Sequence, residues 1–195
     1  MKLLNIEEWE KEDIEVYNTI IEKLWDFNIS DTEWYEYTIT EFTNDIEAKG
    51  FYSCYDQVNF SGFHSQGDGA CFDADIDIFD FLRSTKKLTD FRNVVRNIKS
   101  ENIHRGAYLT RDNTRYSHEC SYSLDNIEYY NGLSRVTQKE LMELEEYISN
   151  YYQDLCIELY DKLRVEYEYL TSKEVIKESL SVNNYLFNEV GEMHI

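Results

Sequence analysis

Residues 51–77 have the sequence FYSCYDQVNFSGFHSQGDGACFDADID, and this stretch indicates an antiparallel β-hairpin. Its first part, 51–64, is aromatic and nearly alternating, and its last part, 70–77, alternates apolar and acidic residues, as half-buried strands do. Between them, SQGDG at 65–69 supplies two glycines that accept positive φ angles and an aspartate that can bind nearby backbone groups. We therefore predict two strands joined by a turn at residues 65–69.

A catalytic role for Gly67-Asp68-Gly69 is the alternative to a structural one. The stretch lacks the glycine spacing and the following helix of a dinucleotide-binding loop, and also the lysine and the serine or threonine of a P-loop. A catalytic carboxylate at Asp68 needs a partner base and a pocket, and the sequence shows neither clearly. The turn is therefore predicted to be mainly structural.

A second hairpin is predicted in NIHRGAYLTRDNTRYSHECSYSLDN at 102–126. Its turn is centred on Asp112-Asn113, a pair of residues that favours tight turns. The two strands are expected to pair closely around this turn, with Arg111 opposite Arg115.

This register predicts a metal site on one face of the sheet. Side-chain alternation places His104, His118 and Cys120 together on that face. His64 and Cys71 flank the first turn and reach the same face if the two hairpins are neighbours. Because two histidines with one or two thiolates form a tetrahedral zinc set, we expect structural Zn²⁺ bound by a subset of these five residues.

The alternative is that these histidines and cysteines are ordinary core residues. Their spacing matches no standard zinc finger, and half-buried His and Cys are common on apolar sheet faces. The remaining cysteines, Cys54 and Cys156, have apolar neighbours in the sequence and are predicted to serve in packing.

Apolar spacings of three and four residues predict helices in the rest of the chain. The predicted helical ranges are 7–27, 31–48, 88–99, 137–170 and 171–180. Asp31 and Thr137 are the expected N-caps of the second and fourth, and Lys49-Gly50 is the expected stop of the second. A small strand or hairpin is expected at 184–194.

These elements define an α+β fold class, with an antiparallel sheet built from hairpins and flanked by helices. The flanking helices include a long one in the C-terminal half. We expect a single domain over 1–195, with an acidic helical N-terminal part at 1–50 and the sheet with its helices at 51–195.

Charge is the strongest compositional signal. The chain has 19 basic and 39 acidic residues, a formal net charge of −20. The segments 1–50 and 139–170 carry net charges of −10 and −6, whereas 83–115 carries +6. Such a field repels nucleic acid and attracts basic surfaces, so direct nucleic-acid binding is not expected. The alternative is that the charge serves solubility alone.

The acidic residues of the predicted helix 137–170 are candidates for binding a partner. Carboxylates spaced along a rigid helix can imitate a phosphate backbone, although any solvated helix face has a similar pattern. The candidate partner-binding residues are Glu140, Glu143, Asp154, Glu158 and Asp161.

The compartment follows from what the sequence lacks. The N-terminus has no long apolar core of a signal peptide, and no apolar run approaches the roughly 18 residues that span a bilayer. No CxxC pair occurs, so the four cysteines are expected to be thiols or metal ligands. We expect a cytoplasmic protein with no membrane partner.

Three stretches resemble a family of small phage- and prophage-encoded proteins, some of which carry an antitoxin label. They are FSGFHSQGDGACF at 60–72, HRGAYLTRDNTRYSHECSYSL at 104–124 and LRVEYEYLTSKEVIKESLSVNNYLFNEVGE at 163–192. The resemblance runs from about Trp34 to the C-terminus, leaves 1–30 outside, and brings no activity with it. The residues it singles out are Ser65, Gln66, Gly67, Asp68, Gly69, His104, Gly106 and His118.

The resemblance implies a phage setting, in which small and very acidic proteins often disarm host nucleic-acid enzymes, as anti-CRISPR proteins do. By this analogy we expect a non-enzymatic inhibitor acting in the host cytoplasm. Its partner would be a basic host effector such as a type II CRISPR nuclease, whose nucleic-acid loading it would block. The alternatives are a metal-dependent enzyme that uses the glycine loop and the hairpin histidines, or an antitoxin-like binding module.

Overall fold

The computed structural model describes residues 2–30, 33–112, 117–125 and 132–194. Within these ranges the helices are α1 (Ile6–Glu12), α2 (Ile14–Lys23), α3 (Glu36–Glu47), α4 (Ile78–Ser84), α5 (Arg92–Lys99), α6 (Arg135–Leu170) and α7 (Lys173–Val182). The strands are β1 (Leu4–Asn5), β2 (Phe51–Tyr52), β3 (Val58–Ser61), β4 (Gly69–Phe72), β5 (Ala74–Asp77), β6 (Gly106–Arg111), β7 (Tyr122–Asp125), β8 (Leu186–Phe187) and β9 (Met193–His194). All strand pairs are antiparallel, so the predicted α+β class and the long helix are confirmed.

The chain divides into two compact units. Unit 1 consists of Met1–Tyr35 and Leu163–Ile195, and unit 2 consists of Glu36–Lys162. The chain therefore passes from one unit to the other before α3 and again within α6, and the N-terminal helices share a core with the C-terminal residues. None of the helices in the described ranges is long and apolar enough to cross a membrane.

Unit 1 is held by apolar contacts between its N-terminal and C-terminal segments. The core of α1, α2, α7 and the sheet β1-β8-β9 consists of Ile6, Trp9, Tyr17, Ile20, Ile21, Ile176, Leu180 and Phe187. The indole N–H of Trp9 also donates to the carbonyl of Phe187 at 2.9 Å. The hairpin expected at 184–194 is confirmed as β8 and β9.

The single helix predicted at 7–27 is in fact two helices. Asp13 ends α1, since its N–H bonds the carbonyl of Trp9 at 2.9 Å. Its side chain then accepts from the N–H groups of Glu15 and Val16 and caps α2. The N-cap residue Asp13 therefore divides a segment whose apolar periodicity predicts one continuous helix.

Unit 2 contains the first hairpin, whose strands β3 and β4 pair Ser61 with Gly69 and Val58 with Phe72. The strand predicted at 70–77 is interrupted at Asp73, which separates β4 from β5. After this break, β5 joins the sheet β2-β5-β6-β7. The hairpin is confirmed for β3 and β4, which form a separate two-stranded sheet, but the single strand predicted at 51–64 is wrong, because Phe51–Tyr52 pairs with β5 instead.

The predicted register of the second hairpin is wrong. The structure pairs Leu109 with Leu124 and Arg111 with Tyr122, whereas the prediction set Arg111 opposite Arg115, a residue outside the described ranges. Tyr122 is held by contacts far along the chain, because its hydroxyl donates to the carbonyl of Ser149 on α6 at 3.3 Å. As a consequence, residues 117–121 lie outside the strands.

The helix boundaries differ from prediction for identifiable reasons. Ser134, not Thr137, caps α6: its hydroxyl accepts from the N–H of Thr137, which is helical and buried. Ser172 likewise caps α7, which begins two residues after the predicted Thr171. The expected N-cap Asp31 lies outside the described residues, and α5 begins at Arg92 where the sequence predicted residue 88.

Candidate functional site

The glycine turn between β3 and β4 is organised by Asp68. Its carboxylate accepts from the N–H of His64 at 2.9 Å and of Ser65 at 2.5 Å. Gly62 has a φ of +52°, and a Cβ there would lie 2.3 Å from the oxygens of the Asp68 carboxylate. The side chain of Asp68 therefore occupies the space above Gly62 and has a structural role in the turn.

The start of β4 lies directly against the segment 117–121. A Cβ on Gly69 would lie 2.7 Å from the carbonyl oxygen of Ser117 and 3.2 Å from the Cα of His118. Two residues further on, Cys71 is buried, and the backbone of His118 acts to lower the pKa of its thiol against the larger effect of burial. The absence of a side chain at Gly69 is what allows this close approach.

The segment 117–121 brings three potential metal ligands together. The carbonyl of His118 accepts from the N–H of Ser121 at 2.9 Å and closes a turn. The ligand atoms of His118, Glu119 and Cys120 all lie within 4.8 Å of one another. Nδ1 of His118 is 2.9 Å from a carboxylate oxygen of Glu119. The histidine and the cysteine were identified from the sequence, but Glu119 was missed. Its position between these two residues in the sequence was the signal that could have indicated it.

The structure separates His104 from this group. Nδ1 of His104 lies 3.1 Å from the nitrogen and 3.0 Å from the oxygen of Gly106, at the first residue of β6. The segment carrying His118 adjoins the other end of that strand, since Asp112 donates to Ser121 at 3.1 Å. At about 3.3 Å per residue, β6 alone spans roughly 17 Å. The structure therefore does not bring His104 together with His118 and Cys120, as the predicted register did.

The remaining cysteines and the first-turn histidine have different environments. Cys71 and Cys156 are buried, and burial is the main cause that raises the pKa of both thiols. Cys54 is exposed, so the packing role predicted for it is wrong. His64 is exposed in the glycine turn, where its backbone binds Asp68.

The five candidate partner-binding acids on α6 are not equivalent. Glu140 is half-buried and caps α5, accepting from the N–H groups of Asn93 at 2.9 Å and Val94 at 3.2 Å. Glu158 is half-buried and pairs with Lys162 at 3.1 Å. Glu143, Asp154 and Asp161 are exposed.

Other acids on the same helix are exposed and unneutralised. Glu145, Glu146 and Asp154 have no ion-pair partner among the described residues. On helix α3, Glu36 and Glu41 are also exposed and have no ion-pair partner among the described residues. These carboxylates add to the acidic surface of unit 2 without contributing to its internal contacts.

Unit 2 also has a basic region around Phe79, part of which lies in the segment 83–115 with its net charge of +6. Arg83, Lys99 and Arg105 place their cationic groups 4.9–5.4 Å from the ring centre of Phe79. A cavity of about 480 Å³ lies beside this ring. Arg105 is paired with Asp77 and Asp80, which offsets its charge.

Comparison with known protein families places most of the chain in a family. The model of a family described as a domain of unknown function, DUF8835, matches residues 34–173, and the chain belongs to this family. The matched range contains all of unit 2. No curated protein and no solved structure matches the chain.

Proposed function

We propose that this protein is a phage-encoded acidic inhibitor that binds a basic, nucleic-acid-processing host defence effector of the type II CRISPR nuclease class. By occupying a positively charged surface of the effector, it blocks the loading of nucleic acid. The protein is not an enzyme in this proposal. It acts in the host cytoplasm through protein–protein contacts alone.

The observation that carries the proposal is the unneutralised acidic surface of α6. Glu145, Glu146 and Asp154 are exposed on a rigid helix and lack cationic partners within the described ranges. Maintaining unpaired like charges disfavours the compact state through self-repulsion. An approaching Lys/Arg-rich surface relieves this repulsion, and the attraction raises the rate of association.

A nuclease that loads DNA presents the complementary surface. Such enzymes hold nucleic acid in positively charged channels and contact it mainly through its backbone. The exposed carboxylates of a helix present fixed negative charge, so they can take the place of phosphates there. Long-range attraction of this kind is screened by salt, with a Debye length of about 10 Å at 0.1 M.

A metal-dependent enzyme is the second candidate, and the cluster of His118, Glu119 and Cys120 is the observation that favours it. An enzyme that also used the glycine loop is less well supported, because the Asp68 carboxylate is engaged by the N–H groups of His64 and Ser65. The distance between His104 and His118 is a further argument against it.

The proposal is tested by adding the purified protein to purified type II CRISPR nucleases and measuring DNA cleavage. We expect dose-dependent inhibition, together with direct binding that weakens as salt rises. A mobility-shift assay with DNA alone is the control. Tight binding to free DNA without binding to any nuclease would refute the inhibitor and favour a nucleic-acid-binding module.

A further inference from the structure

We propose that His118, Glu119 and Cys120 bind a divalent transition metal ion of the zinc type, in the segment that connects β6 to β7. This inference is independent of the proposed inhibitor, because the site lies on residues that the inhibitor does not use. It concerns a metal site with a different ligand set from the one that the sequence predicts.

The donor atoms are close enough to share one ion. Zinc binds nitrogen and oxygen at about 2.0–2.2 Å and sulfur at about 2.3 Å, so tetrahedral ligands lie roughly 3.3–3.8 Å apart. The three donors lie within 4.8 Å of one another without an ion. The two nearest, Nδ1 of His118 and Oε2 of Glu119, are 2.9 Å apart. Changes of about 1 Å are within the reach of side-chain rotation.

The backbone that carries the ligands is fixed from several directions. Ser117 is buried, and its carbonyl lies against Gly69. A Cβ on Gly69 would lie 3.2 Å from the Cα of His118, and the turn from His118 to Ser121 is closed by a hydrogen bond of 2.9 Å. The metal ligands therefore lie on an anchored turn, which lowers the entropy that binding must overcome.

The ligand side chains are also accessible. His118 and Glu119 are partly exposed and Cys120 is exposed, so an ion can enter from solvent without opening the core. The net charge of −20 raises the local concentration of cations. Three protein ligands leave one tetrahedral position for water, which is the arrangement of an open zinc site.

The donor set selects the class of metal. One imidazole nitrogen, one carboxylate oxygen and one thiolate suit zinc and similar borderline ions, whereas calcium and magnesium prefer oxygen alone. On binding, the Cys120 thiol loses its proton to the buffer and the ion exchanges water for the three side chains. Binding therefore releases a proton and weakens as the pH falls.

Cobalt(II) is the probe for the test, because it occupies zinc sites and absorbs light. The reduced protein, treated with a chelator to remove metal, is titrated with Co²⁺, and Zn²⁺ is then added as a competitor. We expect one equivalent of Co²⁺ to bind, with a sulfur-to-cobalt charge-transfer band that Zn²⁺ abolishes. Proton release measured in a weakly buffered solution should accompany the titration.

Matched variants identify the ligands. Cys120→Ser should remove the charge-transfer band, whereas Cys54→Ser, at another exposed cysteine, should leave it unchanged. His118→Ala and Glu119→Gln should each weaken binding at least tenfold. Loss of a residue that only supports a ligand already lowers metal affinity about 10–100-fold, so loss of a ligand itself should cost no less. His104→Ala should have no effect.

Three results would overturn the inference. They are the absence of the band from the wild-type protein, its persistence in Cys120→Ser, and its equal loss in Cys54→Ser. Circular dichroism of each variant separates loss of ligand from loss of fold, and the near-isosteric Glu119→Gln remains informative if His118→Ala unfolds. None of these results bears on inhibition, which is measured with the nuclease.

Discussion

Tyr152 on α6 binds both backbone polar groups of Phe72 on β4. Its hydroxyl donates to the carbonyl of Phe72 at 2.9 Å and accepts from the N–H of the same residue at 3.1 Å. The two rings are in contact, with centroids 4.8 Å apart, and both residues are buried. One side chain thus fixes the long helix against the first hairpin.

Replacing Tyr152 with Phe should destabilise the protein by about 1–3 kcal/mol, the penalty for leaving buried backbone groups without a partner. The ring contacts are retained, so the change reports the hydroxyl alone. Denaturant unfolding followed by circular dichroism measures it. Tyr147→Phe is the matched control on the same helix, because the Tyr147 hydroxyl forms no hydrogen bond with the described residues. Equal effects of the two changes would contradict the assignment.

Glu140→Gln keeps an oxygen acceptor but loses the negative charge, so it should lower the free energy of unfolding by about 0.5–2 kcal/mol, the range for a partly buried charge at a helix terminus. The carboxylate of Glu140 caps α5 from outside that helix, and its charge interacts favourably with the helix N-terminus. Glu143→Gln removes the same charge from an exposed site on α6 and should change stability by less than about 0.5 kcal/mol. A smaller effect at Glu140 than at Glu143 would exclude the capping role.

Asp68→Ala should destabilise the glycine turn, at a cost of about 1 kcal/mol for the lost side-chain hydrogen bonds. Asp68→Asn retains an oxygen acceptor for the N–H groups of His64 and Ser65 and should cost less. Hydrogen exchange at those two amides gives the most local measurement. Unchanged exchange in the alanine variant would show that the carboxylate does not organise the turn.

The buried thiols predict both reactivity and pH dependence. In the native protein a thiol reagent should label Cys54 and Cys120, and all four cysteines should react only after unfolding. Burial raises the pKa of Cys71 and Cys156 above the ordinary 9.0. The unfolded state therefore loses these protons first as the pH rises, and stability should fall above about pH 9.

Cys156→Ala should reduce this alkaline loss of stability, and Cys54→Ala, at an exposed cysteine, is the matched control. Unfolding measured at several pH values between neutrality and pH 10 provides the comparison. Stability that is flat across this range in the wild-type protein would show that the thiols are not buried as described.

Local patterns in the sequence predicted the elements that depend on local interactions. The helix α6 follows from a long apolar stripe, and the hairpin of β3 and β4 follows from alternation around a glycine turn. The division at Asp13 was missed because a capping aspartate interrupts the backbone without interrupting the apolar periodicity. The helix α4 was missed because it continues directly from the alternating residues of β5.

The strand register and the capping of α5 depend on long-range contacts, so local sequence patterns could not predict them. The register of β6 and β7 depends on Tyr122, whose hydroxyl binds α6 and whose ring packs on Tyr152 at 4.3 Å between centroids. The role of Glu140 as a cap of α5 likewise joins residues 47 positions apart. Histidines and cysteines could be recognised as potential ligands from their chemistry, but the register determines which of them meet.

Charge reversal on α6 tests whether the acidic surface itself carries the proposed function. A triple variant with Glu145, Glu146 and Asp154 changed to Lys places like charges against a basic partner, which costs several kcal/mol, and should weaken binding about 100-fold. The control variant changes Glu174, Glu178 and Glu189 to Lys. The control has the same net charge as the α6 variant, but its three changes lie outside α6.

The most direct measurement is the loading of labelled DNA onto a purified type II CRISPR nuclease in the presence of each protein. We expect the wild-type and the control variant to block loading, less strongly as salt rises, and the α6 variant to permit it. If the wild-type protein leaves loading unchanged for every nuclease tested, or if the α6 variant blocks it as well as the control does, the central claim is contradicted.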